Sequence, residues 1–313
     1  MIIAVASGKG GTGKTTVATS LALSLAVDGP GSTGAAEQPG VLGDLILLDC
    51  DVEEPNAALF IGPALDQREE VGILIPAVDL EKCTYCGRCA EVCVWHALAV
   101  VGQKVLVFPE LCHGCGSCTL NCPEEAIYEV LNTTGTIESG QAGSITFGHG
   151  IMDVGQAMST PIIRQLKKKH LAGHHDHERV VILDASPGTS CPVVETMRDS
   201  DFVLLVTEPT PFGLHDLRLA VQVARDELGL PVGVVVNRDG TGDVGVDEYC
   251  ATEKIPILMR IPLERRIAEA ISEGKSLVEA LPGYRNLFRD LYRAIEEQVR
   301  QHAGDADPID RIS

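Results

Sequence analysis

Short apolar runs alternate with stretches of helical periodicity over most of the chain. The runs are continuous rather than alternating, which is typical of strands that are buried on both faces of a sheet. They occupy residues 2–6, 45–48, 180–183, 202–206, 232–236 and 257–261. Because strands that alternate with helices build βαβ units, the pattern predicts an α/β fold with a parallel sheet.

Helical spacing of apolar residues is clearest towards the two ends of the chain. Val17, Leu21 and Leu25 recur every four residues after the first apolar run, which predicts a helix there. Near the other end, the spacing predicts two further helices, over residues 263–273 and 285–301.

Two stretches interrupt this alternation. Residues 28–43 are rich in Gly, Ala and Pro, and they predict an extended loop to which we assign no function. Residues 77–131 contain eight of the eleven cysteines and follow a pattern of their own. We therefore expect a discontinuous domain of residues 1–76 and 132–313, with residues 77–131 as an inserted domain.

Composition and charge narrow the range of partners and the compartment. The net charge of −19 disfavours nucleic acids and anionic membrane surfaces and favours a basic partner, although the acidity also fits a simple solubility role. The apolar runs fall short of the roughly 18 residues that a membrane span needs, and the first is too short for a secretory signal. We expect a cytoplasmic protein whose cysteines serve metal or redox chemistry rather than disulfides.

The first strand leads into a string that fits the phosphate-binding pattern G-x4-G-K-[ST]. The string opens a helix, which is the context that the motif requires. Its glycines let backbone N–H groups approach phosphate oxygens, and the helix N-terminus adds partial positive charge. Lys14 is expected to reach the β- and γ-phosphates of ATP, and Thr15 to ligate Mg²⁺. The expected nucleotide site consists of Gly8, Gly10, Gly11, Thr12, Gly13, Lys14, Thr15 and Thr16.

Two strings within residues 77–131 repeat the pattern C-x2-C-x2-C-x3-C. This is the spacing of bacterial ferredoxins with two [4Fe-4S] clusters, in which the fourth cysteine of each string crosses to the other cluster. Structural zinc predicts isolated C-x2-C pairs instead. Val94 stands where proline is usual, which affects the backbone and not the coordination. We expect one cluster on Cys83, Cys86, Cys89 and Cys122, and the other on Cys112, Cys115, Cys118 and Cys93.

The glycine-rich string also has the form K-G-G-x-G-K-T-T, from Lys9 to Thr16. In this it resembles the deviant Walker ATPases of the MinD/ParA type, a group that includes Mrp and the nitrogenase iron protein. The resemblance extends over nearly the whole chain, to members of this superfamily that carry an inserted ferredoxin domain. It implies an ATP-dependent homodimer in which Lys9 reaches the nucleotide of the partner subunit. The alternative is that Lys9 contacts phosphate in its own subunit.

The resemblance also implies roles for polar residues that follow predicted strands. Asp51 would position the attacking water, Asp49 would lie near the metal ion, and Asp184 would hold Mg²⁺ through water. The Gly188 N–H would sense the γ-phosphate. Asn237 would contact adenine, although an asparagine at a strand end is often only a turn former.

Three cysteines and a group of histidines stand outside these motifs. Cys191 lies at the offset of a cluster-ligating cysteine of the nitrogenase iron protein, so a bridging cluster is one hypothesis and a small buried thiol the other. Cys50 and Cys250 stand alone, and a lone Cys250 counts against the C-x2-C of Mrp-type cluster carriers. The histidines within residues 170–177 are either a weak metal site or a solvated connector.

Together these motifs predict an ATP-hydrolysing iron–sulfur protein that uses two clusters to carry electrons to a redox partner. The insertion separates the segment 49–56 from the segment 184–188, which suggests that the nucleotide repositions the clusters. Alternatives are a cluster assembly factor with an apo iron–sulfur partner, a redox sensor that tunes the ATPase, and a MinD-like spatial organiser. The last would use the predicted final helix, whose apolar face ends in acid rather than in a basic membrane anchor.

Overall fold

The computed structural model describes residues 1–26, 44–172 and 179–305. The predicted loop at 28–43 and most of the histidine stretch lie outside these ranges. The strands are β1 (Ile2–Ala6), β2 (Leu45–Asp49), β3 (Ala64–Val78), β4 (Leu98–Val100), β5 (Val105–Val107), β6 (Ile127–Ala142), β7 (Ile145–Met152), β8 (Val180–Asp184), β9 (Phe202–Thr207), β10 (Val232–Asp239) and β11 (Ile257–Pro262).

Helices cover both faces of the main sheet, and two short ones lie in the cysteine-rich segment. They are α1 (Lys14–Leu25), α2 (Ala58–Ile61), α3 (Arg88–Glu91), α4 (Ser117–Leu120), α5 (Thr160–Leu171), α6 (Cys191–Met197), α7 (Pro211–Val221), α8 (Gly245–Glu253), α9 (Arg265–Ser272), α10 (Leu277–Ala280) and α11 (Tyr284–Asp305). A 3-10 turn spans Pro109–Leu111, and a π-helical turn over Gln222–Glu227 extends α7.

The main sheet has nine strands in the order β11-β10-β9-β1-β8-β2-β7-β6-β3. All six strands predicted from the sequence pair in parallel, and β7 joins them parallel to β2. Strands β6 and β3 then continue the sheet in antiparallel pairs. The predicted α/β fold with a parallel sheet is therefore confirmed, with an antiparallel extension at one edge.

Strands β3, β6 and β7 were missed in the sequence because they lack continuous apolar runs. The first half of β3 is polar and exposed, from Ala64 to Glu70. Strand β6 is rich in Thr, Gly and Glu, and β7 contains Gly148 and Gly150. The exposed part of the β3/β6 ribbon has no reason to carry the hydrophobic pattern of a buried strand, and in the largely buried β7 glycine and histidine interrupt the apolar run.

Two hydrophobic layers hold the sheet between its helices. Helices α5 to α8 cover one face, and α1, α9, α10 and α11 cover the other. On α11 the buried face comprises Phe288, Leu291, Tyr292 and Ile295, whereas Leu287 is half exposed. The apolar face of the predicted last helix is therefore packed against the sheet and α1 rather than available to a membrane.

The cysteine-rich segment sits at the far end of the β3/β6 ribbon. Strands β3 and β6 pair along their whole lengths, from Ala64 opposite Gln141 to Val78 opposite Ile127. Between them lie α3, α4 and the small β4/β5 hairpin. The ferredoxin-like module is thus carried on two strands that are continuous with the main sheet.

Candidate functional site

The glycine-rich loop joins the end of β1 to the start of α1. Gly13 adopts a left-handed backbone with φ of +94°, and a Cβ there would lie 2.4 Å from the Asn237 side chain. A Cβ on Gly8 would lie 2.2 Å from the carbonyl oxygen of Asp216. Glycine is required at both positions, for backbone conformation at the first and for close packing at both. The loop therefore has the backbone of a phosphate cradle.

Asn237 holds this loop from the end of β10. Its side-chain amide donates to the Thr12 carbonyl at 2.7 Å, and its own carbonyl accepts from the Arg238 backbone N–H at 2.9 Å. The sequence pointed to Asn237 as an adenine contact or a turn former. In this structure the side chain supports the phosphate loop, and the adenine contact stays a prediction.

Glu208 is a residue whose importance the sequence did not reveal. Its buried carboxylate accepts from Arg238 Nη1 at 2.6 Å and from Lys9 Nζ at 3.3 Å. Arg238 also donates to the Gly11 carbonyl at 3.1 Å. Lys9 is therefore held by a carboxylate of its own subunit, beside the phosphate loop.

Two buried carboxylates meet at the carboxyl end of the sheet. Asp49 and Asp184 are direct register partners on β2 and β8, and both are fully buried. Asp49 accepts three backbone N–H bonds, from Asp51, Asn56 and Ala57, and so fixes the segment that follows β2. Burial, partly offset by these N–H groups, raises the pKa of Asp49 to about 7.

Asp184 has the properties of a group that awaits a cation. Both of its carboxylate oxygens are buried, and among the described residues neither has a hydrogen-bond partner. Burial, reinforced by the charge of Asp49, raises its pKa well above the usual range. A buried carboxylate without partners is costly, and Mg²⁺ commonly uses one or two carboxylates together with phosphate oxygens. Asp184, with Thr15 nearby at the start of α1, therefore fits a magnesium ion.

An open cleft of about 510 Å³ lies at this end of the sheet. Its lining includes most of the predicted nucleotide-site residues: Gly10, Gly11, Gly13, Lys14, Thr15, Thr16, Asp51 and Asn237. Burial lowers the pKa of Lys14, with Asp184 and Asp51 opposing the shift. Burial also raises the pKa of Asp51, and Lys14 opposes that rise. The cleft thus places an ammonium group between carboxylates, next to the phosphate loop.

The segment after β8 closes against the same loop. The Gly188 N–H donates to the Ser7 carbonyl at 3.0 Å, with Gly188 at φ of +98°. The Ser186 hydroxyl donates to the Cys50 carbonyl at 3.2 Å. The Gly188 N–H is therefore engaged by the protein here, and its contact with a γ-phosphate stays a prediction.

A row of polar side chains extends from the carboxylates to the ribbon. In register across neighbouring strands, Asp49 is followed by His149 on β7, Glu138 on β6 and Arg68 on β3. Glu138 contacts His149 Nε2 at 3.2 Å and accepts from Arg68 at 3.0 Å. This row was missed because its strands were missed. It runs within one layer from the nucleotide site to the strands that carry the cysteines.

The eight motif cysteines form two groups of four, each around its own cavity. One cavity is lined by Cys83, Cys86, Cys89 and Cys122. The other is lined by Cys93, Cys112, Cys115 and Cys118. Within the described ranges, no group of three or more His, Cys, Asp or Glu side chains is placed to hold a single metal ion. The quartets suit [4Fe-4S] cubanes, with the exchange of the fourth cysteines that the spacing predicts.

The two halves of the module repeat each other in backbone geometry. Each fourth cysteine accepts from the N–H four residues on, Cys93 from Ala97 at 3.2 Å and Cys122 from Ala126 at 3.3 Å. Equivalent positions share positive φ angles, as at His96 and Glu125. N–H bonds to sulfur stabilise thiolate charge, so both halves are built to hold thiolate ligands.

The other cysteines differ in their accessibility. Cys50 and Cys250 are buried, and burial raises the pKa of the Cys250 thiol to about 11. Cys191 is exposed at the start of α6, so the alternative of a small buried thiol is wrong for this residue. A bridging cluster at Cys191 stays a hypothesis. Across the described residues, no helix has the length and apolarity to cross a membrane.

Two protein-family models match parts of the chain. The ParA family model, described as an NUBPL iron-transfer P-loop NTPase, matches residues 1–76. A model of the 4Fe-4S dicluster domain matches residues 75–123.

Individual relatives match over almost the full length. The uncharacterized protein MJ0579 of Methanocaldococcus jannaschii is 31% identical, covering 95% of this chain and 96% of its own. The cytosolic Fe-S cluster assembly factor Nubp2 homolog of Anopheles gambiae is 24% identical over 94% of this chain and 95% of its own.

Solved structures of MinD share the fold. The cell division ATPase MinD of Pyrococcus furiosus superposes with a TM-score of 0.54 at 22% identity, covering 95% of this chain and 98% of its own. MinD of Pyrococcus horikoshii, solved with Mg-ADP, gives a TM-score of 0.53 at 20% identity, covering 96% and 98%. The chain therefore belongs to the family of MJ0579, and it combines a ParA/NUBPL-type P-loop NTPase domain, which has the fold of MinD, with a 4Fe-4S dicluster domain.

Proposed function

We propose that the protein binds and hydrolyses ATP as a homodimer and that the nucleotide controls electron transfer through two [4Fe-4S] clusters. One observation carries the proposal. The ribbon that bears the cysteines is hydrogen-bonded into the sheet whose strand ends form the nucleotide cleft. A change at the strand ends therefore has a continuous route to the module.

In this proposal each residue of the cleft has a defined task. The loop from Gly8 to Thr15 holds the phosphates, with Lys14 on the β- and γ-phosphates. Thr15 and Asp184 hold Mg²⁺, which supplies neutralisation of phosphate charge, while Asp49 fixes the segment that contains Asp51. Asp51 orients the attacking water.

The homodimer is proposed through Lys9, on the resemblance to the deviant Walker ATPases. Lys9 is paired with Glu208 of its own subunit and keeps about a third of its side chain exposed. A single ion pair of this kind is weak enough to be exchanged for a phosphate of the partner subunit. ATP binding and dimer formation would then be linked through this one side chain.

Helix α5 is the element through which we propose that the nucleotide acts on the ribbon. The buried Lys167 donates to the carbonyls of Glu195, Thr196 and Arg198, at 2.8, 3.1 and 2.5 Å, at the end of α6. Arg164 adds a two-pronged ion pair with Glu195 at 3.0 Å. Helix α6 directly follows the segment 184–188, so α5 is anchored to a nucleotide-sensing element.

The other side of α5 holds the ribbon. Gln165 donates to the Gly72 carbonyl on β3 at 2.5 Å, and Lys169 pairs with Glu69 at 3.1 Å. His170 Nε2 lies 3.0 Å from the Ser139 hydroxyl on β6. The C-terminal end of the insertion reaches the segment 184–188 only after β7 and α5. The contacts of α5 therefore couple the ribbon to the segment 184–188, in addition to the chain that connects them.

Substitution of Asp51 by alanine tests the proposal in anaerobically purified protein. Hydrolysis should slow by about 10²-fold or more, because the water loses its orienting group. Electron delivery from the dithionite-reduced protein to an acceptor should lose its dependence on ATP. Glu53→Ala, at an exposed neighbouring carboxylate, is the matched control and should behave as wild type. If Asp51→Ala delivers electrons with unchanged ATP dependence, gating by hydrolysis is excluded.

A second candidate, iron–sulfur cluster assembly or transfer, is favoured by the likeness to the Nubp2 homolog. It predicts that cluster moves to an apo-ferredoxin much faster than it is lost spontaneously. Mrp-type cluster carriers use a C-x2-C motif, whereas Cys250 stands alone and its thiol is buried. This counts against the second candidate. Absorbance of the acceptor after anaerobic mixing separates the two candidates. Cluster transfer gives the apo-ferredoxin the absorbance of a bound cluster, whereas electron transfer leaves the iron in the donor.

We further propose that residues 1–76 and 132–313 form one domain and residues 77–131 another, that the protein holds two clusters, and that it is cytoplasmic. The location is supported by the chemistry, since free thiolates and clusters require a reducing compartment. Iron and sulfide determination on anaerobic protein tests the count, with about eight irons expected for two cubanes.

A further inference from the structure

Exposed apolar side chains are concentrated on the module and its ribbon. Of the twenty large hydrophobic side chains exposed in the described residues, twelve lie between residues 74 and 131. That segment is less than a fifth of the chain, so the density is far above that of the rest of the surface. Apolar surface of this density is typical of an interaction site.

The two halves of the module differ in what covers their clusters. Trp95 lies two residues after Cys93, and the equivalent position after Cys122 is Glu124. His113 lies directly after Cys112, and the equivalent position after Cys83 is Thr84. The Trp95 and His113 rings stack at 3.6 Å between centroids, inclined by 13°. One cavity is thus lined by a stacked aromatic pair that is exposed to solvent, and the other by Thr84, Glu124 and the partly buried ring of Tyr85.

The aromatic pair belongs to the cavity nearer the ATPase. Leu74 and Pro76 of β3 line the cavity of Cys93, whereas Val78 lines the cavity of Cys83. Four residues along a strand correspond to about 13 Å. We call the clusters proximal and distal accordingly. The proximal cluster therefore lies closer to the part of the ribbon that α5 holds.

Leu131 extends the apolar surface beside the proximal cluster. It is the direct cross-strand partner of Leu74, so both side chains lie on one face of the ribbon, and both are about half exposed. We name the set Leu74, Trp95, His113 and Leu131 the Trp95 surface. It combines a large aromatic side chain with aliphatic neighbours, the composition typical of the centre of a protein interface.

Charge determines which partner suits this surface. Residues 79–126 include six acidic and three basic residues, and the cluster thiolates add negative charge. Glu129 also lines the proximal cavity. A second copy of this acidic chain, with its net charge of −19, would be repelled here. The partner must carry Lys or Arg around an apolar centre.

We propose that the Trp95 surface is the docking site for a one-electron redox protein with an apolar contact face and a basic rim. The proposal rests on the proposed electron-transfer function and adds which cluster exchanges electrons and where. The reduced proximal cluster loses one electron, and the redox centre of the partner gains it. A low-potential one-electron donor, dithionite in the experiment below, restores the cluster. Small and weak interfaces are usual for redox encounters, which suits a surface of four side chains.

Cytochrome c, a basic protein with an exposed haem edge, serves as the probe. Stopped-flow mixing of dithionite-reduced protein with ferricytochrome c gives the second-order rate, and calorimetry of the oxidised proteins gives the affinity. Trp95→Ala should lower both by about tenfold, as is usual for the loss of a central tryptophan. Trp95→Phe, which can still stack on His113, should retain most of both. The wild-type rate should fall as salt is added.

Tyr128→Ala is the matched control, because Tyr128 is an exposed aromatic on the ribbon face opposite to that of Leu131. It should leave rate and affinity within about twofold of wild type. Hexaammineruthenium(III), a small oxidant that needs no docking, should react equally with all variants. Iron and sulfide counts and EPR of the reduced proteins establish that each variant holds its clusters.

Equal rates and affinities for Trp95→Ala and Tyr128→Ala would overturn the docking site while leaving electron transfer intact. A wild-type protein that reduces hexaammineruthenium(III) but neither binds nor reduces cytochrome c would also overturn it. Failure to reduce either oxidant would overturn the proposed function itself, and the docking site with it. If Trp95→Ala abolishes self-association in sedimentation equilibrium, the surface joins two copies of the chain and the proposal is wrong.

Discussion

The ATPase sheet and the ferredoxin module are held together by different forces. The sheet lies between two extensive layers of fully buried aliphatic and aromatic side chains. The hydrophobic cluster of the module has six buried members, of which three are the motif cysteines Cys93, Cys112 and Cys118. Burial of apolar surface is sufficient for the sheet, whereas the module is too small to be stable on burial alone.

The sheet and the module therefore share a continuous backbone but are stabilised by different interactions. Iron–thiolate bonds supply to the module what the hydrophobic layers supply to the sheet, as metals do in other small domains. The ribbon that joins them has exposed apolar side chains and little core of its own. It depends on its antiparallel pairing and on its contacts with α5. The junction is therefore the region in which the two sources of stability meet.

Removal of the iron should produce the largest difference in stability between the module and the sheet. Anaerobic chelation should unfold residues 79–126, because the cysteine quartets lose the ions around which they are arranged. The sheet should stay folded and should still bind ATP. Hydrogen exchange followed by mass spectrometry measures both regions in one experiment, with complete loss of protection expected only in the module.

The control for chelation is the same treatment followed by anaerobic reconstitution with iron and sulfide, which should restore the protection. A module that keeps its slow exchange after the iron has gone would contradict the comparison. So would a sheet that loses protection together with the module.

Truncation of a core side chain should have the next largest effect, confined to the ATPase. Phe147→Ala on β7 removes a fully buried ring and should destabilise the protein by about 3–5 kcal/mol. Chemical denaturation of anaerobic protein measures the loss. Phe212→Ala is the matched control, because Phe212 is largely exposed and should cost about 0.5 kcal/mol or less. Equal midpoints for the two variants would show that the sheet does not rely on this layer.

Lys167→Met should act on the junction with an intermediate effect. Methionine keeps the apolar stem of the side chain but leaves three carbonyls at the end of α6 without their charged donor, which costs about 2 kcal/mol. Exchange should accelerate in α6 and in the ribbon near Gly72, with no loss of iron. Lys168→Met, at the exposed neighbouring position, should change neither. Acceleration confined to α6 would show that α5 does not link the two regions.

The sequence predicted those features that require a regular spacing of residue types along the chain. The six parallel strands were found from continuous apolar runs, although β11, at the edge of the sheet, is only partly buried. The helix over 285–301 was found from its spacing, with ends that differ by a few residues. The cysteine spacing predicted which four thiols share each cavity, because the crossing of the fourth cysteine is a property of the repeat.

The features that were missed depend on contacts between distant segments. Strands β3, β6 and β7 carry mixed polar residues, so periodicity could not reveal the ribbon or the row through His149 and Glu138. Glu208 lies about 200 residues from Lys9 in sequence, and only the fold brings them together. Such pairings are set by sheet order, which a single sequence does not specify.

Glu208→Gln should have the smallest effect, on assembly of the ATPase rather than on its fold. Glutamine keeps the size of the side chain but removes the charge that holds Lys9, so Lys9 becomes available to the partner's nucleotide at lower cost. The loss of one partly exposed ion pair corresponds to about 1 kcal/mol, or roughly fivefold tighter dimerisation with ATP. Sedimentation velocity with ATP and with ADP measures the shift.

Glu248→Gln on α8 is the matched control, because that carboxylate is exposed and away from the cleft. It should dimerise as wild type does. Arg238 also loses an ion pair in Glu208→Gln, so weaker ATP binding by the monomer would identify Glu208 as a support for the phosphate loop rather than a restraint on Lys9. Iron content and protection of the module should be identical in both variants. Altered protection there would mean that the nucleotide loop and the clusters communicate even without dimer formation.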